Sequence, residues 1–254
     1  MTGRRRGLCG FTTLTFDVVG TLIDFETGML CWLAPHLRTR GLALSDREIL
    51  EAFGRAEAAL QRDRPTWPFT RMLPAAYRIM AEGWGLAPDD RAADEFRASI
   101  ADWPAFADSV EALGYLKGHY RLVAVTNADN WALAAMSRTL GAPFALTLTA
   151  EDVGLNKPSP KVFERLLEFL APLGVSKTDV LHVAQSQYHD IVPAQALGFA
   201  TAWINRRHAA AGWGATPPPE AQATPDYLAT SLADLAALHR SEMELIPSLD
   251  DNDS

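Results

Sequence analysis

The chain has 254 residues, 48% of them hydrophobic and 21% charged, with a formal net charge of -8; that length can bury a full core and carry a small second domain. The acidic balance argues against nucleic-acid binding, which wants a basic surface, and no apolar run reaches the roughly 18 residues of a membrane span. Cys9 and Cys31 suggest neither a disulfide framework nor a metal site, and no signal-peptide apolar region follows Arg4-Arg5-Arg6, so a cytoplasmic setting is expected.

Residues 1–10 and the acidic end 241–254 read as flexible tails. Leu14-Thr15-Phe16 is β-branched and aromatic, the pattern of a buried strand, and Asp17 ends it ahead of Val18-Val19-Gly20-Thr21. Gly20 permits a sharp turn that leaves the Asp17 carboxylate exposed at the strand's carboxyl end, the edge where open α/β sheets bind ligands. Asp17 is therefore a candidate nucleophile, with an ordinary strand-ending acid that satisfies loop amides as the alternative.

Residues 28–105 form an insertion in which Ile49, Leu50, Ala52, Phe53, Ala56 and Leu60 follow a helical stripe. It reads as a helical cap, with Trp67, Phe69, Trp84 and Trp103 as apolar wall material, mostly for its own core. Further on, Arg121-Leu122-Val123-Ala124-Val125 reads as a strand opening into Thr126-Asn127. Strands are also expected to end near Leu148, Ala184 and Ile204, separated by helical segments around residues 162–170 and 192–197. Such alternation predicts a doubly wound parallel sheet with helices on both faces. Lys157-Pro158 follows the third strand, Gln185-Ser186-Gln187-Tyr188-His189-Asp190 follows the fourth, and Pro217-Pro218-Pro219 predicts an extended surface loop.

Asp17, then Thr126-Asn127, then Lys157-Pro158, then Asp190, each on a strand or its loop, resembles the four-motif layout of the haloacid dehalogenase superfamily. The resemblance runs from about Phe11 to Arg240 and narrows to the type II 2-haloacid dehalogenases. It implies a Rossmann-like core over residues 11–27 and 106–240, the cap over 28–105, a small-molecule substrate and, as in many members of that branch, a homodimer.

The position two after the nucleophile gives the chemistry its direction. Phosphatases of the superfamily carry a second acid there, which protonates the leaving alcohol; Val19 cannot transfer a proton, help typically worth about 10²–10⁴-fold. A halide leaves as a stable anion without it. In the last motif Gln185 replaces the first of two acids that hold Mg²⁺ in relatives, so no metal and no other cofactor is expected. Lys157 is expected to keep Asp17 ionised, and Asp190 to orient or deprotonate the hydrolytic water with help from Ser186 and Gln187. Thr21 and Thr126 are candidate donors to the substrate carboxylate or to Asp17, and Asn127 a candidate halide or carboxylate donor. Each also has a structural reading: Lys157 a solvated lysine, Asp190 its buried ion-pair partner, the threonines and Asn127 turn residues, His182 and His189 structural histidines.

Two departures from that branch bear on the substrate. An arginine of the early cap helix aligns with Gly54, leaving Arg55 one residue on, which is about 100° around a helix; Arg62, Arg64 and Arg71 are the other candidates. A tyrosine after the lysine is Phe163 here. The expected activity is metal-independent hydrolysis of short 2-haloalkanoic acids through an aspartyl ester, with a magnesium-dependent small-molecule phosphatase and a non-catalytic relative as alternatives.

Overall fold

The computed structural model describes residues 7–209 and 212–245. Six strands form one sheet in the order β3-β2-β1-β4-β5-β6: β1 (Thr13–Phe16), β2 (Arg121–Thr126), β3 (Leu146–Thr149), β4 (Val180–Ala184), β5 (Ala200–Ile204) and β6 (Tyr227–Ala229). Every neighbouring pair is parallel, so the strands are covered on both faces and read as apolar runs. The two faces take alternate residues. Leu122 and Ala124 of β2 enter the core shared with the helical insertion, whereas Val123 and Val125 pack on the opposite side with Val162, Phe163 and Leu166.

Between β1 and β2 the chain inserts α1 (Phe25–Thr39), α2 (Asp46–Asp63), α3 (Phe69–Gly83) and α4 (Asp90–Ala98), which pack on one another in sequence. Ser45 caps α2 and forms a capping box with Glu48, satisfying two otherwise orphaned backbone donors. Ile49, Phe53 and Ala56 bury the predicted stripe. Gly28 lets α1 lie against Trp103; a Cβ there would meet the indole at 2.4 Å. The apolar core runs from the sheet into this insertion without a break.

After α5 (Ser109–Leu116), the helices α6 (Asn130–Thr139), α7 (Ala150–Val153), α8 (Pro160–Leu170) and α9 (Val192–Ala196) alternate with the strands, and α10 (Leu232–Glu244) ends the described fold. The tail boundaries need correction. Leu8 is buried in a short 3-10 turn whose carbonyl accepts a hydrogen bond from Tyr120 Oη, and α10 runs past Arg240 to Glu244, where Glu242 accepts a hydrogen bond from Cys9 N and so ties the two ends together. Residues 1–6 and 246–254 of the expected tails lie outside the described residues. Among the described residues no helix is long and apolar enough to cross a membrane.

The strand order reverses between β1 and β4, the switch point where such sheets form a ligand crevice. Phe16 is in register with Ala124 and Val183, so Asp17, Thr126 and Gln185 all emerge at the same carboxyl edge.

Candidate active site

Asp17 leaves β1 with its amide donating to Val183 O, and the loop behind it turns sharply through Gly20 at φ +86°. That positive φ suits glycine, and an added Cβ would also lie 3.2 Å from the Phe25 ring. Thr21 Oγ1 donates to Asp17 Oδ2 at 2.6 Å and accepts from Gln185 N at 2.9 Å. Its hydroxyl is fully engaged, so Thr21 fixes the Asp17 carboxylate and is not placed to bind substrate.

Lys157 reaches the site from the loop before α8 and is 2% exposed. Its Nζ donates to Asp17 Oδ1 at 2.9 Å, Asp190 Oδ1 at 2.6 Å and Val125 O at 2.8 Å, using all three ammonium donors. Asn127 clamps the same loop: Nδ2 donates to Lys157 O at 2.9 Å and Oδ1 accepts from Lys157 N at 2.7 Å. Asn127, expected as a halide or carboxylate donor, thus positions the lysine backbone; it is half-buried and also borders the site cavity, where its amide has a second N–H.

Asp190 lies in the turn of π-helix Gln187–Ile191 and is fully buried. Its Oδ1 also accepts from His182 Nε2 at 2.9 Å, and His182 Nδ1 pairs with Thr15 Oγ1. The Phe163 ring packs edge-on against His182, so the residue at the tyrosine position supports the histidine that holds Asp190. Asp190 Oδ2 is buried with no hydrogen-bond partner among the described residues.

The electrostatics of this cluster differ from expectation at Asp17. Burial, with Asp190 adding to it, raises the Asp17 pKa above the ordinary carboxylate value, against the pull of Lys157 and Thr21. For Asp190 burial acts the same way, but Lys157 and the His182 hydrogen bond outweigh it and hold the group at about 2. Lys157 itself is raised: burial opposes its charge, and the two carboxylates win.

A cavity of about 60 Å³ lies over these groups. At 10–15 Å³ per water this is room for about five small heavy atoms. Val19, Phe25, Phe69 and Met72 supply its apolar wall, and Thr126, Gln185 and Ser186 its polar one. Thr126 Oγ1 accepts from Ala128 N and no acceptor takes its proton among the described residues, so this hydroxyl remains a candidate substrate donor. Ser186 Oγ accepts from His189 N at 2.9 Å and lies 3.2 Å from His189 Nδ1. The His189 ring reaches Gln61 Oε1 through Nε2, and burial lowers its pKa to about 4, keeping it neutral.

Two expected site residues are elsewhere. Gln187 pairs with the backbone of Ala223 through both ends of its amide, tying down a loop away from the cavity. Arg55 is exposed on α2, since the helix turns it away from the face that Gly54 presents. Arg62, Arg64 and Arg71 are exposed as well; no arginine lines the cavity among the described residues. The loop expected at the surface contributes instead: Ala215 is fully buried, and Ala215, Thr216 and Pro217 close one side of the cavity.

The haloacid dehalogenase-like hydrolase family model matches residues 11–198. The chain belongs to this family. Among solved structures, a defluorinating L-2-haloacid dehalogenase shares 21% identity at a TM-score of 0.77, covering 92% of this chain and 98% of its own. A second L-2-haloacid dehalogenase shares 25% at 0.75, covering 92% and 100%. The L-2-haloacid dehalogenase of Xanthobacter autotrophicus with chloropropionic acid covalently bound shares 18% at 0.72, covering 91% and 98%. No curated protein matches.

Magnesium, bound in the structure of the putative HAD-hydrolase YfnB from Bacillus subtilis, fits this donor set poorly. The two carboxylates share one ammonium, and Gln185 offers a neutral amide where a hard divalent cation wants an anionic oxygen. Among the described residues no group of three or more His, Cys, Asp or Glu is placed to hold a metal.

Sequence reasoning missed Glu57 and Gln61, which line the cavity from α2. A signal was present: Glu57 lies four residues after Phe53 and next to Ala56, so an acid sits on the apolar stripe itself. Phe25 was missed because α1 already begins there, three residues ahead of the insertion boundary expected at residue 28.

Proposed function

We propose that the protein hydrolyses the carbon–halogen bond of short 2-haloalkanoic acids and their close carbonyl analogues through an ester of Asp17, without a metal. The observation that carries this reading is Val19 in the cavity wall two residues after the nucleophile. A phosphate ester or ether would leave as a poor anion with no acid to protonate it, whereas halide needs none. The haloacid dehalogenases of similar fold support the same reading, the one at 25% identity most directly.

Asp17 is held at both oxygens, by Thr21 and by Lys157, so its carboxylate is oriented before substrate arrives. Attack forms a C–O bond as the carbon–halogen bond breaks and halide departs with the electron pair. Neutralising Asp17 as an ester relieves the one excess negative charge among Asp17, Asp190 and Lys157. Water then adds to the ester carbonyl, and acyl–oxygen cleavage returns Asp17 with the 2-hydroxy product and a proton. Asp190, which borders the cavity, is the carboxylate assigned to orient that water. A group held at about 2 is a weak base, so orientation is its role rather than storage of the proton.

The test is halide release from haloacetates and 2-halopropionates in excess EDTA, with Asp17→Asn alongside. Release that survives the chelator and vanishes in the variant supports the proposal. Magnesium-dependent phosphate release from phosphate esters, with no halide from any haloacid, overturns it.

A further inference from the structure

Gly54, Glu57 and Gln61 lie at helical spacing on one face of α2. Gly54 lies against the backbone of Ala215, where an added Cβ would sit 3.5 Å from the carbonyl oxygen. Glu57 and Gln61 line the cavity over Asp17. Glu57 is 8% exposed, and no described residue gives it a hydrogen bond or an ion pair. The face that would be expected to carry a cation for a substrate carboxylate thus carries an unpartnered acid.

The remaining charges agree. Lys157 is the one cation lining the cavity among the described residues, and its three donors are taken by Asp17, Asp190 and Val125. Asp17, Asp190 and Lys157 together carry one net negative charge, and an incoming carboxylate would add a second with nothing to balance it. A primary amide adds none. Its N–H donates and its carbonyl accepts, so it can meet a carboxylic acid in two antiparallel hydrogen bonds. Burial with no nearby cation raises Glu57 to about 8, which favours the neutral acid that this pairing uses. A 2-haloacetamide has about five non-hydrogen atoms, the number that the cavity admits by the water-volume measure.

We infer that the enzyme takes the neutral primary amides of short 2-halocarboxylic acids in preference to the acids themselves, with Glu57 pairing to the substrate amide and setting that specificity. The inference rests on the dehalogenase reading given above. The reaction leaves the amide untouched: Asp17 displaces halide from the adjacent carbon, and water releases the 2-hydroxyamide and one proton.

The test compares kcat/KM for halide release from 2-chloroacetamide with chloroacetate, and from 2-chloropropionamide with 2-chloropropionate. The full chain is used at pH 7. Asp17→Asn serves as the blank that subtracts alkylation of the free thiols Cys9 and Cys31. The amide is expected to win by about tenfold or more, the scale of discrimination that buried polar groups give. Glu57→Arg is expected to shift the ratio towards the acid by a similar factor, while Glu57→Gln, which keeps a donor and an acceptor, retains the amide preference. An acid turned over as well as its amide overturns the inference and leaves the dehalogenase reading standing. Halide from neither substrate above the blank overturns both. The wild-type ratio decides the matter even where a Glu57 variant fails to fold.

Discussion

Lys157 shows how far one side chain organises this site. Fully enclosed, it bridges two carboxylates that lie 140 and 33 residues away in sequence. Removing the ammonium leaves both acids buried beside each other without a counter-charge, and breaking such a pair costs about 3–5 kcal/mol. Lys157→Met is therefore expected to lower the unfolding free energy from urea titration by about that amount and to abolish halide release, both read on one purified sample; an unchanged unfolding free energy would show that the three groups do not form an ion-paired unit. Asp17 was legible because it ends a short apolar run at the sheet edge, whereas Lys157 and Asp190, set in loops beyond β3 and β4, were named from the resemblance to a four-motif layout. Asn127 was legible as a residue of the site, but the backbone pairing of Asn127 and of Gln187 was not. A side-chain amide pairs equally well with ligand or backbone, and only the tertiary structure reveals the backbone of Lys157 and Ala223 beside them.

At the scale of elements, α2 carries the main lesson. Its stripe was readable from Ile49, Phe53 and Ala56, and so was the consequence of a one-residue offset for Arg55. The occupant of the cavity-facing position was not read, since a glutamate in a helix is ordinarily solvent-facing and only the structure shows that Glu57 is buried. Burying Glu57 has a pH signature. Its folded pKa of about 8 lies above the roughly 4.3 of an unfolded chain. Between these values the folded state keeps a proton that the unfolded state has lost, so stability falls as pH rises through this window and levels off above it. Full burial would make that loss roughly 5 kcal/mol, and contact with a cavity reduces it to a few. Glu57→Gln is expected to flatten the fall, gaining on the wild type in urea midpoint between pH 5 and pH 8.5. Parallel pH curves for the two proteins would show that Glu57 is solvated. The loop at residues 215–217 was read as surface because prolines signal an extended segment, and nothing local marks which cavity an extended segment closes.

For the whole molecule, the alternation of strands and helices predicted a parallel sheet, and β1 at its centre follows from placing the nucleophile at the switch point. The order of the outer strands was not legible, because the apolar runs say that strands are buried and not which neighbours bury them. The helical insertion was legible as a helical segment, and its apolar core turns out to be continuous with that of the sheet. Only together do the two parts make the site: Asp17, Lys157 and Asp190 come from the strand ends, while Glu57, Gln61, Phe69 and Met72 come from the insertion. The central claim about this assembly is that substrate carbon is transferred to Asp17 before water acts. Single turnover with enzyme in excess in H₂¹⁸O tests it most directly, using whichever substrate of the acid and amide pair releases halide. Attack by Asp17 gives a product hydroxyl containing ¹⁶O and one ¹⁸O in the peptide that carries Asp17; ¹⁸O in the product with an unlabelled Asp17 peptide would mean direct attack by water and no aspartyl ester.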